Sequence, residues 1–162
     1  MTPLAKQVTA KYSYKNYCEW NDGRWELIEG VEYDMTPAPS RLHQEISMIL
    51  SAGFYEALKG TDCKVYSAPF DVRLADTPDK NDEAIFTVVQ PDISVICDQE
   101  KLDDRGCKGA PDLIVEILSL STASKDMKVK RNIYEKCGVR EYWLIHPEEK
   151  LIMVLNCAHF YH

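Results

Sequence analysis

The chain has 162 residues, 45% of them hydrophobic and 28% charged, with a formal net charge of -7. That length fits one domain able to bury about 70% of its unfolded surface, and no apolar run approaches the roughly 18 residues of a membrane span. The start, Met1-Thr2-Pro3-Leu4-Ala5-Lys6-Gln7, carries no apolar export core. A soluble, cytoplasmic protein is expected, with no membrane partner, and the net acidity argues against a surface that grips nucleic acid everywhere. Cys18, Cys63, Cys97, Cys107, Cys137 and Cys157 form no C-x-x-C pair. They are expected to be free thiols in a reducing compartment, and a zinc site is not expected.

Taken in order, Ser13 can cap a short helix through Cys18 to Trp20, ended by Asn21-Asp22-Gly23. Trp25-Glu26-Leu27-Ile28 and Val31-Glu32-Tyr33-Asp34-Met35 flank Glu29-Gly30 as a hairpin. After the breakers Pro37 and Pro39, Ser40 can cap a long helix with Leu42, Ile46, Ile49, Leu50, Gly53 and Ala57 on one stripe, stopped at Gly60. Lys64-Val65-Tyr66-Ser67 and Phe70-Asp71-Val72-Arg73-Leu74 read as strand interrupted by Ala68-Pro69, and Ala75 to Glu83 as a polar loop. Two more strands lie around Asp92 and Glu116. A second helix is expected from about Ser124 to Cys137, with Gly138 at its end. Glu141-Tyr142-Trp143-Leu144-Ile145 and Leu151-Ile152-Met153-Val154-Leu155 then flank a turn. The sum is a sheet with helices packed on it, in a single domain over residues 1–162: an N-terminal helix and hairpin at 12–36, and a core at 40–157.

Chemistry enters with two acids. Asp92 opens the run Pro91-Asp92-Ile93-Ser94-Val95-Ile96-Cys97, and Glu116 closes Asp112-Leu113-Ile114-Val115-Glu116-Ile117-Leu118. Antiparallel pairing of the two strands would make Asp92 and Glu116 neighbours. Facing carboxylates repel unless a cation lies between them, and such pairs with open water positions hold Mg²⁺ for phosphate chemistry. The other Pro-Asp, at Asp112, is a full strand length from Glu116, roughly 13 Å, too far to share an ion. It is read as a strand-start residue.

Met127, Lys130, Ile133, Tyr134 and Cys137 recur at helical spacing, which sets Lys130 inside the core-facing stripe. An unpaired buried ammonium costs several kcal/mol, so its amine either reaches water or meets buried carboxylates, with Glu116 or the Asp92–Glu116 pair as mates. Six cations between Lys125 and Arg140 suit either a solvated helix face or a local nucleic-acid face.

The ordered series Arg24-Trp25-Glu26-Leu27-Ile28-Glu29-Gly30, His43-Gln44, Val89-Gln90-Pro91-Asp92, Pro111-Asp112-Leu113-Ile114-Val115-Glu116, Asp126, Lys130, Tyr134 and Gly138-Val139-Arg140-Glu141-Tyr142-Trp143 resembles the Uma-type restriction endonuclease family of the PD-(D/E)XK nuclease superfamily. The resemblance implies a restriction-endonuclease-like α/β (α+β) core, a mixed central sheet flanked by helices. It casts Asp92 as the aspartate of PD and Glu116 as the acid of (D/E)XK. Leu118 stands where the motif lysine is expected, which makes Lys130 the candidate for a lysine moved onto the following helix. His43, on the first core helix, matches the family pattern as a further site member. The expectation is a nuclease cleaving DNA, with Mg²⁺ (or Mn²⁺) on Asp92, Glu116 and the Ile117 carbonyl, Lys130 and His43 assisting, and a second copy of the chain as a candidate partner. The competing expectation is a catalytically inactive domain of the same fold that binds or scaffolds.

Overall fold

Asn16 ties the first helix to its cap: its Oδ1 accepts from both the Ser13 N–H at 2.9 Å and the Ser13 hydroxyl at 3.0 Å, starting α1 (Tyr14–Tyr17). The computed structural model describes residues 10–35, 38–75, 77, 81–119 and 126–157. The expected breaker Pro37, positions 76 and 78–80 of the polar loop and the expected helix start at Ser124 with Lys125 lie outside the described residues. The hairpin β1 (Trp25–Ile28) and β2 (Val31–Asp34) forms as its turn chemistry requires, with Glu29 at φ 51 and Gly30 at φ 85.

Strands β3 (Lys64–Ser67), β6 (Ile93–Ile96), β9 (Leu113–Ile117), β10 (Glu141–His146) and β11 (Leu151–Asn156) form a five-stranded sheet in the order β11-β10-β9-β6-β3. Its neighbours are antiparallel except β9 and β10. Strands β4 (Val72–Arg73), β5 (Val88–Val89), β7 (Leu102–Asp103) and β8 (Gly106–Lys108) join the hairpin in a six-stranded sheet ordered β2-β1-β5-β4-β8-β7. The fold is therefore mixed α+β, as expected, but with two sheets where the sequence suggested one. The chain changes sheets at Ala68-Pro69, so β3 and β4 are not one interrupted strand. The polar connection between the Asp92 and Glu116 strands supplies β7 and β8 to the other sheet.

Alternation along β6 and β9 sends Ile93, Val95, Leu113, Val115 and Ile117 to one face of the five-stranded sheet. There they meet α2 (Arg41–Ala57), which is capped by the Ser40 hydroxyl accepting the His43 N–H at 3.1 Å. The packed stripe is Ile46, Leu50, Phe54 and Leu58. The expected stripe is rotated from this: Leu42 is 46% exposed and Ile49 70%. Apolar residues wrap so far round this helix that their spacing alone does not choose between adjacent faces. The opposite face of the sheet, with Ile96, Ile114 and Leu144, packs on α3 (Arg131–Cys137) and on the six-stranded sheet through Val72 and Val89. A π-helical turn, Asp126–Lys130, leads into α3, and Gly138 ends it at φ 87.

Each Pro-Asp starts one strand of the central antiparallel pair and ties the end of the other. The Asp92 carboxylate accepts the Ile117 N–H at 2.7 Å, and at the opposite end Asp112 accepts the Cys97 N–H at 2.7 Å. Asp112 is thus the strand-start residue expected of it. The free-thiol expectation fails at one pair. Cys63 and Cys97 form a disulfide, because the register that faces Lys64 with Ile96 sets these two cysteines opposite one another one step further on. Cys18, Cys107, Cys137 and Cys157 are not disulfide-bonded. No described helix is long and apolar enough to cross a membrane.

Candidate functional site

The pairing Ile93↔Val115 fixes what lies at the end of the central strands, since one step further Asp92 falls across from Glu116. Both acids line one cavity of about 580 Å³, a volume typical of a ligand cleft. Its wall also includes Glu26, His43, Ile117 and Lys130. The structure therefore brings every site residue named from the sequence to one cavity, where the two sheets and α2 meet.

Glu116 is 4% exposed, and Lys130 is 3% exposed at the junction of the π turn with α3. The Lys130 ammonium donates to Glu116 Oε1 at 3.0 Å and to Glu26 Oε1 at 2.9 Å. The Tyr134 hydroxyl, one helical turn on, donates to the same Glu116 oxygen at 2.9 Å. Burial and then the neighbouring Glu116 charge push the Tyr134 phenol well above its ordinary pKa, so it remains a donor at any ordinary pH. A buried ammonium is costly unless paired and hydrogen-bonded, and here it has carboxylates from both sheets.

Asp92 is held differently. Its Oδ2 accepts the Ile117 N–H, while Oδ1 lies 3.0 Å from His43 Nε2 on the first turn of α2. That hydrogen bond, with the Asp92 charge, raises the His43 pKa above its ordinary value, against burial and the nearby positive charge of Arg24. Asp92 thus meets α2, and Glu116 meets α3, across the end of one sheet.

Glu26 is the acid the sequence reading passed over. It is fully buried on β1, and its Oε1 also accepts the Gln90 backbone N–H at 3.0 Å. A signal for it existed: like Glu116 in Ile114-Val115-Glu116-Ile117, it is a lone acid in an apolar strand, Trp25-Glu26-Leu27-Ile28. Gln90 was passed over too. Its Oε1 accepts from Arg24 Nε at 3.3 Å and Nη2 at 3.0 Å, and its Nε2 donates to Asp71 Oδ1 at 2.8 Å and Tyr17 Oη at 3.1 Å. Tyr134 and Tyr142 are core side chains, and Trp143 packs on Phe54.

The donors suit a hard divalent cation: carboxylate oxygens of Asp92 and Glu116 beside a backbone segment at Ile117. Among the described residues no group of three or more His, Cys, Asp or Glu side chains is placed to hold a metal.

The Uma2 family model, described as "Putative restriction endonuclease", matches residues 12–157. The chain is 30% identical over 127 residues to an uncharacterized protein of Synechocystis sp. (strain ATCC 27184 / PCC 6803 / Kazusa), in an alignment covering 76% of this chain and 62% of that protein. It therefore spans somewhat less than two thirds of that relative's length. The crystal structure of a "putative nuclease belonging to DUF820" from Anabaena variabilis ATCC 29413 superposes with a TM-score of 0.72 at 19% identity, over 91% of this chain and 81% of that one. At that identity the likeness is one of fold.

Proposed function

The chain belongs to the Uma2 family, and from that premise we propose that it is a metal-dependent nuclease of the PD-(D/E)XK type that hydrolyses phosphodiester bonds in DNA at the Asp92–Glu116 cavity. The observation that carries the reading is the buried Lys130 ammonium on Glu116, directly across the strand pair from Asp92, in a cleft open to a ligand. Asp92 and Glu116 would hold one Mg²⁺ or Mn²⁺, with the Ile117 carbonyl as a third donor. Such an ion supplies Lewis-acid polarisation of a phosphate and a water of lowered pKa.

The chain's own residues do the rest. Leu118, in the position of the motif lysine, is 6% exposed and packed in the core, so an amine for the site comes from Lys130 instead. Its ammonium is fixed by Glu26 and Glu116 and serves to orient the attacking water and to offset charge gathering on the phosphate oxygens. Tyr134 restrains the Glu116 carboxylate, and His43 restrains that of Asp92.

The test is cleavage of supercoiled plasmid and of single-stranded DNA with Mg²⁺ or Mn²⁺, with EDTA as control, by the wild type, Asp92→Asn and Glu116→Gln. Nicking or linearisation only by the wild type with metal is expected. A folded wild type that neither binds the metals nor cleaves would replace this reading with that of an inactive binding domain.

A further inference from the structure

We infer that Arg24, propped by Gln90, is the phosphate-binding residue of this cavity, gripping a backbone phosphate of the nucleic acid beside the carboxylates. The inference rests on the nuclease reading and names how that site would hold its substrate. Arg24 and Gln90 line the same cavity as Asp92 and Glu116.

Three features carry it. Among the described residues Arg24 pairs with no carboxylate; its guanidinium is held through Nε and Nη2 by one neutral oxygen, Gln90 Oε1. A neutral prop fixes direction without cancelling charge, and it leaves donors of the guanidinium fork for an anion, whose best planar match is a phosphate. Second, Gln90 is itself locked. Its amide nitrogen is committed to Asp71 and Tyr17, which obliges the oxygen to face Arg24, and its backbone N–H is bound to Glu26. Third, this chain of contacts ends on the reacting groups. Gln90 immediately precedes Pro91-Asp92, and the Glu26 oxygen it bonds is the one that holds Lys130. A phosphate on Arg24 would thus be placed by the same framework that sets the lysine. The chain as a whole is acidic, at -7, so a fixed cation beside the acids is where an anionic polymer can be admitted.

The experiment is equilibrium binding of a short duplex DNA and of the matching single strand in EDTA, over a salt series, for the wild type, Arg24→Ala and Arg24→Lys, with thermal melts to confirm folding. Arg24→Ala is expected to bind on the order of tenfold or more weaker, with the slope of log affinity against log salt shallower by about 0.9 for the duplex. Arg24→Lys should keep the wild-type slope, because one charge still neutralises one phosphate, while losing part of the affinity with the fork. A merely structural role for Arg24 would not separate slope from affinity in this way. Wild-type binding with Arg24→Ala unchanged in affinity and slope overturns the inference alone. No wild-type binding or cleavage of nucleic acid overturns the nuclease reading and this inference with it.

Discussion

Replacing Lys130 by Met tests the buried charge cluster most severely. Methionine keeps the length and apolar stem but removes the ammonium from between Glu26, which is fully buried, and Glu116 at 4% exposure. Breaking a buried pair by deleting one partner costs about 3–5 kcal/mol, because the surviving charge is left in a low dielectric. Against a domain stability of about 5–15 kcal/mol this is a large fraction. At a urea slope of about 2 kcal/mol per molar, the unfolding midpoint should fall by roughly 2 M with the slope unchanged. The cause has its own signature: neutralising the stranded acids in Glu26→Gln/Glu116→Gln/Lys130→Met should recover much of the loss. If Lys130→Met costs less than about 1 kcal/mol, or the added glutamines recover nothing, the amine is not the counter-charge of these carboxylates.

Asp112→Ala removes the acceptor of the Cys97 N–H at the far end of the central strands, and should lower stability by about 1–2 kcal/mol in urea titration while leaving Mn²⁺ binding as in the wild type. Gly106→Ala would set a Cβ 2.2 Å from the Asp71 carbonyl oxygen at a φ of +125, so melting should show a loss of about 3 kcal/mol or more, and a wild-type melting curve would contradict the packing of β8 on that loop. The raised His43 pKa gives a signed pH effect. The His43–Asp92 pair adds stability below His43's unfolded value of about 6.5, and that contribution is lost as pH rises through the higher folded value. Melting of wild type and His43→Gln should therefore diverge in acid and converge in alkali; a constant difference across the range would refute the pairing.

How far the sequence discloses this molecule depends on the range of the contacts involved. The Asp92 and Glu116 strands were legible because two β-branched runs lie either side of a polar connection, and antiparallel pairing then dictates which ends meet. Lys130 was legible as a charge at a core position of a helical stripe. Its second mate, Glu26, was not, since that contact spans 104 residues and joins two different sheets. The division into two sheets was hidden at Ala68-Pro69, where a local break in strand pattern is also a change of sheet. The Cys63–Cys97 bond was hidden for the same reason as Glu26: its partners, 34 residues apart, are set opposite only by strand register. Helix α2 shows the reverse case, where the element and its Ser40 cap were readable but the buried face was not, because Leu42 and Ile49 extend the apolar arc beyond what the sheet covers.

Mn²⁺ titration followed by electron paramagnetic resonance, on the wild type and Asp92→Asn, addresses the central proposal most directly. One bound ion per wild-type chain, lost in Asp92→Asn while the Lys130 cluster keeps the fold intact, is the predicted result. Undiminished Mn²⁺ binding by Asp92→Asn, or none by the folded wild type, would contradict it.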